Sequence, residues 1–139
     1  MGLGTKKEAR VQAKDIMTSD VICCAEDASV NEAAKTLNQH RITGAPVLDR
    51  SGRLAGIVTE ADVLFRQGNT VADIMTRDVY TVEEDTSVED TAILMAAYRI
   101  KRVPVLRGGK VVGIVSRADI VRAMATGEVL PLQSPVFDL

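Results

Sequence analysis

An internal repeat constrains the fold of this chain more than any other feature of its sequence. Residues 56–62 read Gly-Ile-Val-Thr-Glu-Ala-Asp, and residues 113–119 read Gly-Ile-Val-Ser-Arg-Ala-Asp. Each copy joins a branched apolar pair to a hydroxyl residue, and a carboxylate follows three residues later. The apolar run after the carboxylate has helical spacing, so the pattern is typical of a buried strand that leads into a helix. Two such junctions in 139 residues predict a symmetric molecule.

The repeat extends over most of the chain. Asp-Ile-Met-Thr occurs at residues 15–18 and again at 73–76, and Pro-Val-Leu occurs at residues 46–48 and 104–106. Each copy predicts the order β-α-β-β-α, which is an α+β fold. A single copy of about 55 residues would leave much of its surface exposed. We therefore expect two copies that pack sheet-to-sheet with pseudo-two-fold symmetry and form two related clefts between them.

The repeat also predicts the domain boundaries. Residues 14–68 form the first domain and residues 69–126 the second, with an N-terminal tail at 1–13 and a C-terminal tail at 127–139. The C-terminal tail has Pro131 and Pro135 among apolar residues, and proline disfavours a helix there. Two interpretations stay open for it: docking on a surface of this or another chain, or disorder.

Composition excludes several classes of function. Hydrophobic residues make up 46% and charged residues 26%, as in globular proteins. No apolar run reaches the ~18 residues of a membrane-spanning helix, so no membrane association is expected. A net charge of −2 and 3% aromatic residues make nucleic acid an unexpected partner.

The N-terminus and the cysteines indicate a cytoplasmic protein. The first twelve residues are polar and basic without the apolar stretch of a signal peptide. Cys23 and Cys24 are adjacent and lack metal-ligand spacing. We interpret them as small buried side chains on a strand, and a redox switch is the alternative.

The strand-to-helix junction has two chemical interpretations. Thr59 and Ser116 can be helix N-caps with Asp62 and Asp119 three residues later, and a cap needs no ligand. Aspartate is shorter than the Glu or Gln that a capping box prefers, so we expect these carboxylates to reach back poorly and to be presented elsewhere. A helix start also binds anions, and a carboxylate can accept both hydroxyls of a ribose. The second interpretation is therefore a nucleotide site.

The motifs as a set resemble a tandem pair of cystathionine-β-synthase-type (CBS) domains over residues 14–124. The matching features are Asp-Ile-Met-Thr, Pro-Val-Leu and Gly-Ile-Val-(Thr/Ser)-x-x-Asp, each present twice and in order. The resemblance implies a stand-alone regulatory module that binds AMP, ADP, ATP, NAD or S-adenosylmethionine in the clefts between its repeats. It implies an energy-sensing role towards an unknown partner protein, no required cofactor, and a disc-like homodimer.

The resemblance also implies a role for each matching residue. Thr59 and Ser116 would meet phosphate, and Asp62 and Asp119 would hold ribose, with each cleft drawing residues from both repeats. The first cleft would contain Thr59, Asp62, Thr76, Val79, Tyr80, Ile100, Lys101, Arg102 and Pro104. The second cleft would contain Thr18, Val21, Ile22, Ile42, Thr43, Pro46, Ser116 and Asp119.

The two clefts differ in one basic pair. Lys101 and Arg102 precede the second Pro-Val-Leu, where the first copy has Thr43 and Gly44. The resemblance implies that such basic residues contact phosphate, so we expect the cleft with Asp62 and Arg102 to bind phosphorylated nucleotides better. The alternative is that Lys101 and Arg102 form a solvated charged pair.

Two other functions compete with ligand sensing. An enzyme is disfavoured because the sequence offers no nucleophile–base pair, paired carboxylates or metal-ligand cluster, so neither catalytic nor metal-binding residues are predicted. A scaffold or dimerisation module with degenerate clefts is the stronger competitor. It is disfavoured because both copies keep the hydroxyl and the carboxylate.

Overall fold

The computed structural model describes residues 10–127 and has a mixed α+β architecture. It contains two three-stranded sheets, ordered β1-β2-β3 and β4-β5-β6. The predicted β-α-β-β-α order is confirmed in both copies, and a short helix precedes each. The elements are α1 Ala13–Ile16, β1 Cys24–Ala25, α2 Val30–His40, β2 Gly44–Leu48, β3 Leu54–Thr59, α3 Glu60–Phe65, α4 Val71–Ile74, β4 Val82–Glu83, α5 Val88–Ala97, β5 Arg102–Arg107, β6 Lys110–Ser116 and α6 Arg117–Ala125.

The predicted tails fall mainly outside the described residues. Residues 1–9 and 128–139 are outside them, and so both interpretations of the C-terminal tail fall outside the described residues. The folded part begins before residue 14, because Ala13 opens α1 and is fully buried. Within residues 10–127, no helix combines the length and the apolar character needed to cross a bilayer.

The described residues form two compact units. The repeat-1 unit comprises residues 20–80 together with 108–111, and the repeat-2 unit comprises residues 10–19, 81–107 and 112–127. The segment that precedes each repeat therefore lies in the unit of the other repeat. The predicted boundaries at 14–68 and 69–126 follow the sequence repeats, and the compact units cross them.

Backbone hydrogen bonds hold the N-terminal segment in the repeat-2 unit. The N–H of Ala13 donates to the carbonyl of Thr86 at 2.7 Å. Thr18 and Ile114 exchange two hydrogen bonds, at 2.8 and 2.9 Å. Thr18, the last residue of the first Asp-Ile-Met-Thr, thus lies beside the strand that leads to Ser116.

The inter-repeat segment is held in the repeat-1 unit in the same way. The N–H of Val71 donates to the carbonyl of Ala28 at 2.9 Å, and Thr76 exchanges bonds of 2.8 and 2.9 Å with Ile57. These bonds also explain Pro46 in the middle of β2, where a missing N–H could break the ladder. Pro46 is opposite Ile57, whose N–H and C=O both face Thr76, so no ladder bond is lost.

Glycine allows each segment to approach the strand closely. A Cβ atom on Gly56 would lie 2.6 Å from the carbonyl oxygen of Thr76 and 2.9 Å from the Sδ of Met75. A Cβ atom on Gly113 would overlap the side chain of Met17. The first residue of the repeated motif is therefore glycine because a segment, and not solvent, covers it.

Each unit has a core of its own, made of small and branched side chains. The alternation along the strands and the three-to-four spacing along the helices place these side chains on one face. In the repeat-1 unit the core comprises Cys24, Ala33, Leu37, Ala45, Val47, Val58, Val71, Ile74 and Met75. In the repeat-2 unit it comprises Ala13, Ile16, Val82, Val88, Ala92, Met95, Val103, Val105, Val115, Ile120 and Ala123.

Candidate functional site

The two helix starts are both complete capping boxes. Thr59 Oγ1 accepts from the N–H of Asp62 at 3.2 Å, and Asp62 Oδ2 accepts from the N–H of Thr59 at 2.9 Å. Ser116 Oγ accepts from the N–H of Asp119 at 3.2 Å, and Asp119 Oδ2 accepts from the N–H of Ser116 at 2.8 Å. The expectation that aspartate reaches back poorly is wrong, because the extended backbone of the N-cap residue brings its N–H within reach.

Both aspartates are buried, with 6% exposure for Asp62 and 3% for Asp119. A buried carboxylate is rare unless hydrogen bonds or opposite charges compensate for its desolvation. The cap uses one oxygen, Oδ2, at both starts. The other oxygen, Oδ1, is not needed for the cap, and its surroundings differ between the two starts.

At the second start, neighbouring side chains surround the carboxylate of Asp119. Arg122 Nη2 donates to Oδ1 at 2.8 Å, and the hydroxyl of Thr18 lies 3.4 Å from the same oxygen. The hydroxyl of Ser116 donates to Oδ2 at 3.1 Å. Arg122 Nη2 also lies 3.5 Å from the carbonyl oxygen of Ile16. The carboxylate thus joins the helix start, its own arginine and the N-terminal segment.

At the first start, the arginine has a different task. Arg66 Nη1 donates to the carbonyls of Ile74 and Met75, at 3.2 Å each, and so holds the end of the inter-repeat segment. These carbonyls lack helical partners because α4 ends there. Arg66 Nε is 3.6 Å from Asp62 Oδ1, which is an ion pair outside hydrogen-bond distance.

The structure divides the predicted site residues between the two units. It places Thr18 beside Asp119 and pairs Thr76 with Ile57, two residues before Thr59. The predicted residues of the repeat-1 unit are Thr59, Asp62, Thr76, Val79, Tyr80, Val21, Ile22, Ile42, Thr43 and Pro46. Those of the repeat-2 unit are Ile100, Lys101, Arg102, Pro104, Thr18, Ser116 and Asp119. The two complete clefts stay predictions.

The basic pair lies beside the second helix start. The carbonyl of Lys101 accepts from the N–H of Arg117, the first residue of α6, at 3.2 Å. The equivalent bond at the first start joins Thr43 and Glu60 at 2.9 Å. Lys101 and its neighbour Arg102 thus belong to the unit that contains Asp119. Their predicted association with the ligand of Asp62 stays a prediction.

Sequence reasoning missed the two arginines. Arg66 follows Asp62 by four residues and Arg122 follows Asp119 by three, and side chains at these spacings meet on one face of a helix. The signal was therefore present in the repeat. The prediction considered only the carboxylates and not the helix residues that follow them.

The two cysteines have the properties of structural thiols. Burial raises the pKa of both, and the neighbouring Cys24 raises the pKa of Cys23 further. Both therefore stay protonated and weakly nucleophilic near neutral pH. In the described part of the chain, no three His, Cys, Asp or Glu side chains gather as a metal site would require.

Comparison with known proteins adds independent information. The model of the CBS domain family matches residues 13–68 and again residues 71–126. The L-aspartate semialdehyde sulfurtransferase of Methanocaldococcus jannaschii is 42% identical over 113 residues. That alignment covers 78% of this chain but 22% of the enzyme, so the chain spans less than a quarter of that relative's length.

Two solved structures share the fold. A CBS domain pair in complex with 5′-methylthioadenosine and S-adenosyl-L-methionine has a TM-score of 0.75 and 38% identity, with 85% of this chain and 98% of that chain covered. CBSX2 from Arabidopsis thaliana, in complex with AMP, has a TM-score of 0.78 and 29% identity, with 86% and 99% covered. Both were solved with an adenosine compound bound.

Proposed function

The chain belongs to the CBS domain family, and we propose that it is a regulatory module that binds an adenosine ligand and reports its presence to a partner protein. The ligand class is AMP, ADP, ATP, NAD or S-adenosylmethionine. The proposal is supported by structural relatives that bind AMP, S-adenosylmethionine or methylthioadenosine. It includes the view that the module itself is not catalytic, needs no cofactor and acts in the cytoplasm.

The observation that carries the proposal is the buried carboxylate of Asp62. Its Oδ2 completes the cap, while its Oδ1 lies 3.6 Å from Arg66 Nε, which is beyond hydrogen-bond distance. A cap alone would be satisfied by Oδ2. An additional acceptor oxygen beside a helix start suits the two hydroxyls of a ribose, and the positive end of the helix suits a phosphate.

The proposed role of each residue is the one that the resemblance implies. Asp62 and Asp119 accept ribose hydroxyls, and Thr59 and Ser116 offer hydroxyl groups to phosphate. The remaining residues of the two predicted clefts surround the adenine and the phosphates. Lys101 and Arg102 attract phosphate, so we expect the first cleft to bind phosphorylated nucleotides more tightly than the second.

A scaffold with degenerate sites is the second candidate function. The surroundings of Asp119 favour it, because neighbouring side chains already satisfy that carboxylate without a ligand. In a scaffold, we would expect neighbouring side chains to hydrogen-bond both carboxylates to the same extent. Arg122 hydrogen-bonds Asp119 but Arg66 stays beyond hydrogen-bond distance of Asp62, and this difference favours ligand binding over the scaffold.

We extend the proposal to a homodimer. Leu64 is 72% exposed and Phe65 82% at the end of α3, and Val121 is 63% exposed in the middle of α6. Apolar side chains exposed on a helix commonly mark an interface, and the resemblance implies a second copy of this chain as the partner. Sedimentation velocity should give twice the 14.9 kDa chain mass, and Phe65→Lys should shift the protein towards monomer. A wild-type protein that sediments as a monomer at tens of micromolar would contradict the dimer.

A thermal-shift screen tests the function. AMP, ADP, ATP, NAD and S-adenosylmethionine are compared with guanosine monophosphate as a control. A ligand present at about 100 times its Kd stabilises the folded state by about 2.7 kcal/mol, which raises the melting temperature by several degrees. A rise with at least one adenosine compound is expected. No rise with any of the five would support the scaffold.

A further inference from the structure

The two aspartates differ in how many hydrogen bonds they already accept. A carboxylate has about four lone-pair positions. Asp119 receives three donors within 3.1 Å, from the N–H and hydroxyl of Ser116 and from Arg122, and the hydroxyl of Thr18 lies 3.4 Å away. Asp62 receives the N–H of Thr59 at 2.9 Å, with Arg66 at ion-pair distance.

A ribose diol needs acceptor positions. Its two hydroxyls donate to the carboxylate, so they must replace donors wherever the positions are filled. At Asp119 the diol would have to displace Arg122 or Thr18 from Oδ1. At Asp62 the Nε of Arg66 lies 3.6 Å from Oδ1, beyond hydrogen-bond distance, so a diol would not have to displace the arginine of the same helix.

The different tasks of the two arginines explain this difference. Arg66 directs its Nη1 to two carbonyls of the inter-repeat segment, which keeps its guanidinium away from Asp62. Arg122 lies one residue closer to its aspartate along the helix and directs Nη2 to the carboxylate at 2.8 Å. Both arginines therefore reach a carbonyl of the segment, and Arg122 in addition hydrogen-bonds its aspartate, which Arg66 does not at 3.6 Å.

We propose, on the basis of the proposed function, that Arg122 is a specificity-determining residue that makes Asp119 the weaker adenosine site. The ligand fills the Asp62 site first, and binding at Asp119 requires that Arg122 leave the carboxylate. The side chain of Arg122 is 60% exposed, so it can turn into solvent, and the arginine acts as a removable competitor of the ribose.

Magnitudes support this order of filling. A ligand that must break a hydrogen bond to a charged group binds about tenfold more weakly, or weaker still. We use the lower bound of tenfold because Arg122 is partly exposed. Lys101 and Arg102 are predicted to contact the phosphate of the ligand at Asp62. An exposed charge contributes less than a charge-assisted hydrogen bond, so the basic pair does not reverse the order.

Titration calorimetry with AMP tests the proposal on the full chain. The variants are Asp62→Ala, Arg122→Met and the double variant Asp62→Ala/Arg122→Met, with Arg66→Met as the matched control. Asp62→Ala should lose most of the binding, and the double variant should bind AMP about tenfold more tightly than Asp62→Ala. Arg66→Met should give no gain in affinity, because Arg66 does not occupy the carboxylate.

A gain of binding is a readout that loss of structure cannot produce. Arg122→Gln, whose neutral amide donates a weaker bond, should give a smaller gain than Arg122→Met and serves if the methionine variant does not fold. If the wild type binds AMP and neither Arg122 variant tightens binding in the Asp62→Ala background, the role of Arg122 is overturned and the proposed function stands. Absence of AMP binding, with no binding of the other adenosine compounds, would overturn both.

Discussion

Replacing Asp62 by alanine is expected to weaken AMP binding by about 10- to 100-fold, the worth of lost charge-assisted hydrogen bonds to the ribose. Asp62 is 6% exposed, and its Oδ1 lies 3.6 Å from Arg66 Nε, beyond hydrogen-bond distance. Asp62→Asn should show an intermediate loss, because an amide retains one acceptor oxygen but no charge. Titration calorimetry with AMP measures all of these affinities.

Asp119→Ala is the matched control for this result. It changes the same residue type at the equivalent helix start, and it should weaken the tighter AMP site much less than Asp62→Ala does. Equal affinities of Asp62→Ala and Asp119→Ala for AMP would contradict the assignment of the sites. A melting temperature recorded for each variant separates loss of ligand contacts from loss of folding.

Replacing Asp119 by alanine is expected to be the more damaging change for stability, lowering the free energy of unfolding by about 3 kcal/mol. The carboxylate receives the N–H of Ser116 and the guanidinium of Arg122 at 2.8 Å each, and the hydroxyl of Ser116 at 3.1 Å. Its removal leaves these donors without an acceptor. It also removes the contact between Asp119 and Thr18 that joins α6 to the N-terminal segment. Urea denaturation followed by circular dichroism measures the loss.

The stability effects of the two aspartates should therefore rank opposite to their effects on affinity. Asp62→Ala removes one cap hydrogen bond and a 3.6 Å ion pair, so it should cost only about 1 kcal/mol. A loss from Asp119→Ala that is no larger than the loss from Asp62→Ala would show that the donors around Asp119 contribute little. The hydrogen bonds around Asp119 at the second helix start would then not stabilise the fold measurably.

The fold was largely predictable from the sequence because its signals are local and occur twice. The repeated motifs each specify a short element, and the structure has these elements in the predicted order. The exchange of leading segments was not predicted. Hydrogen bonds between residues far apart in sequence, such as Thr18 with Ile114, decide it, and no local pattern indicates them.

The candidate site was predictable as a set of residue types but not as geometry. The hydroxyl and carboxylate of each start were identified from spacing, whereas the distribution of hydrogen bonds over Oδ1 and Oδ2 depends on side-chain directions. Arg66 and Arg122 show the limit: both follow an aspartate by nearly the same spacing and both reach a carbonyl of a segment, yet Arg122 also hydrogen-bonds its aspartate and Arg66 stays 3.6 Å from Asp62. A one-residue difference changes the direction of a side chain on a helix by about 100°.

The surroundings of the basic pair, Lys101 and Arg102, are a second feature that the sequence alone does not determine. From the sequence, Lys101 and Arg102 were associated with Asp62 through the resemblance alone. The structure gives Lys101 a backbone hydrogen bond to the first residue of α6, beside Ser116. Strand pairing within one sheet determines this neighbourhood, because β5 and β6 are adjacent and α6 begins where β6 ends.

The most direct test of the account is a crystal structure of the chain with AMP. We expect a nucleotide whose ribose hydroxyls lie about 2.5–3.0 Å from the carboxylate oxygens of Asp62, the distance of O–H···O hydrogen bonds. We also expect that Arg122 stays on Asp119 unless a second AMP is bound there. A nucleotide that contacts neither aspartate, or one bound at Asp119 while Asp62 has no ligand, would contradict the account.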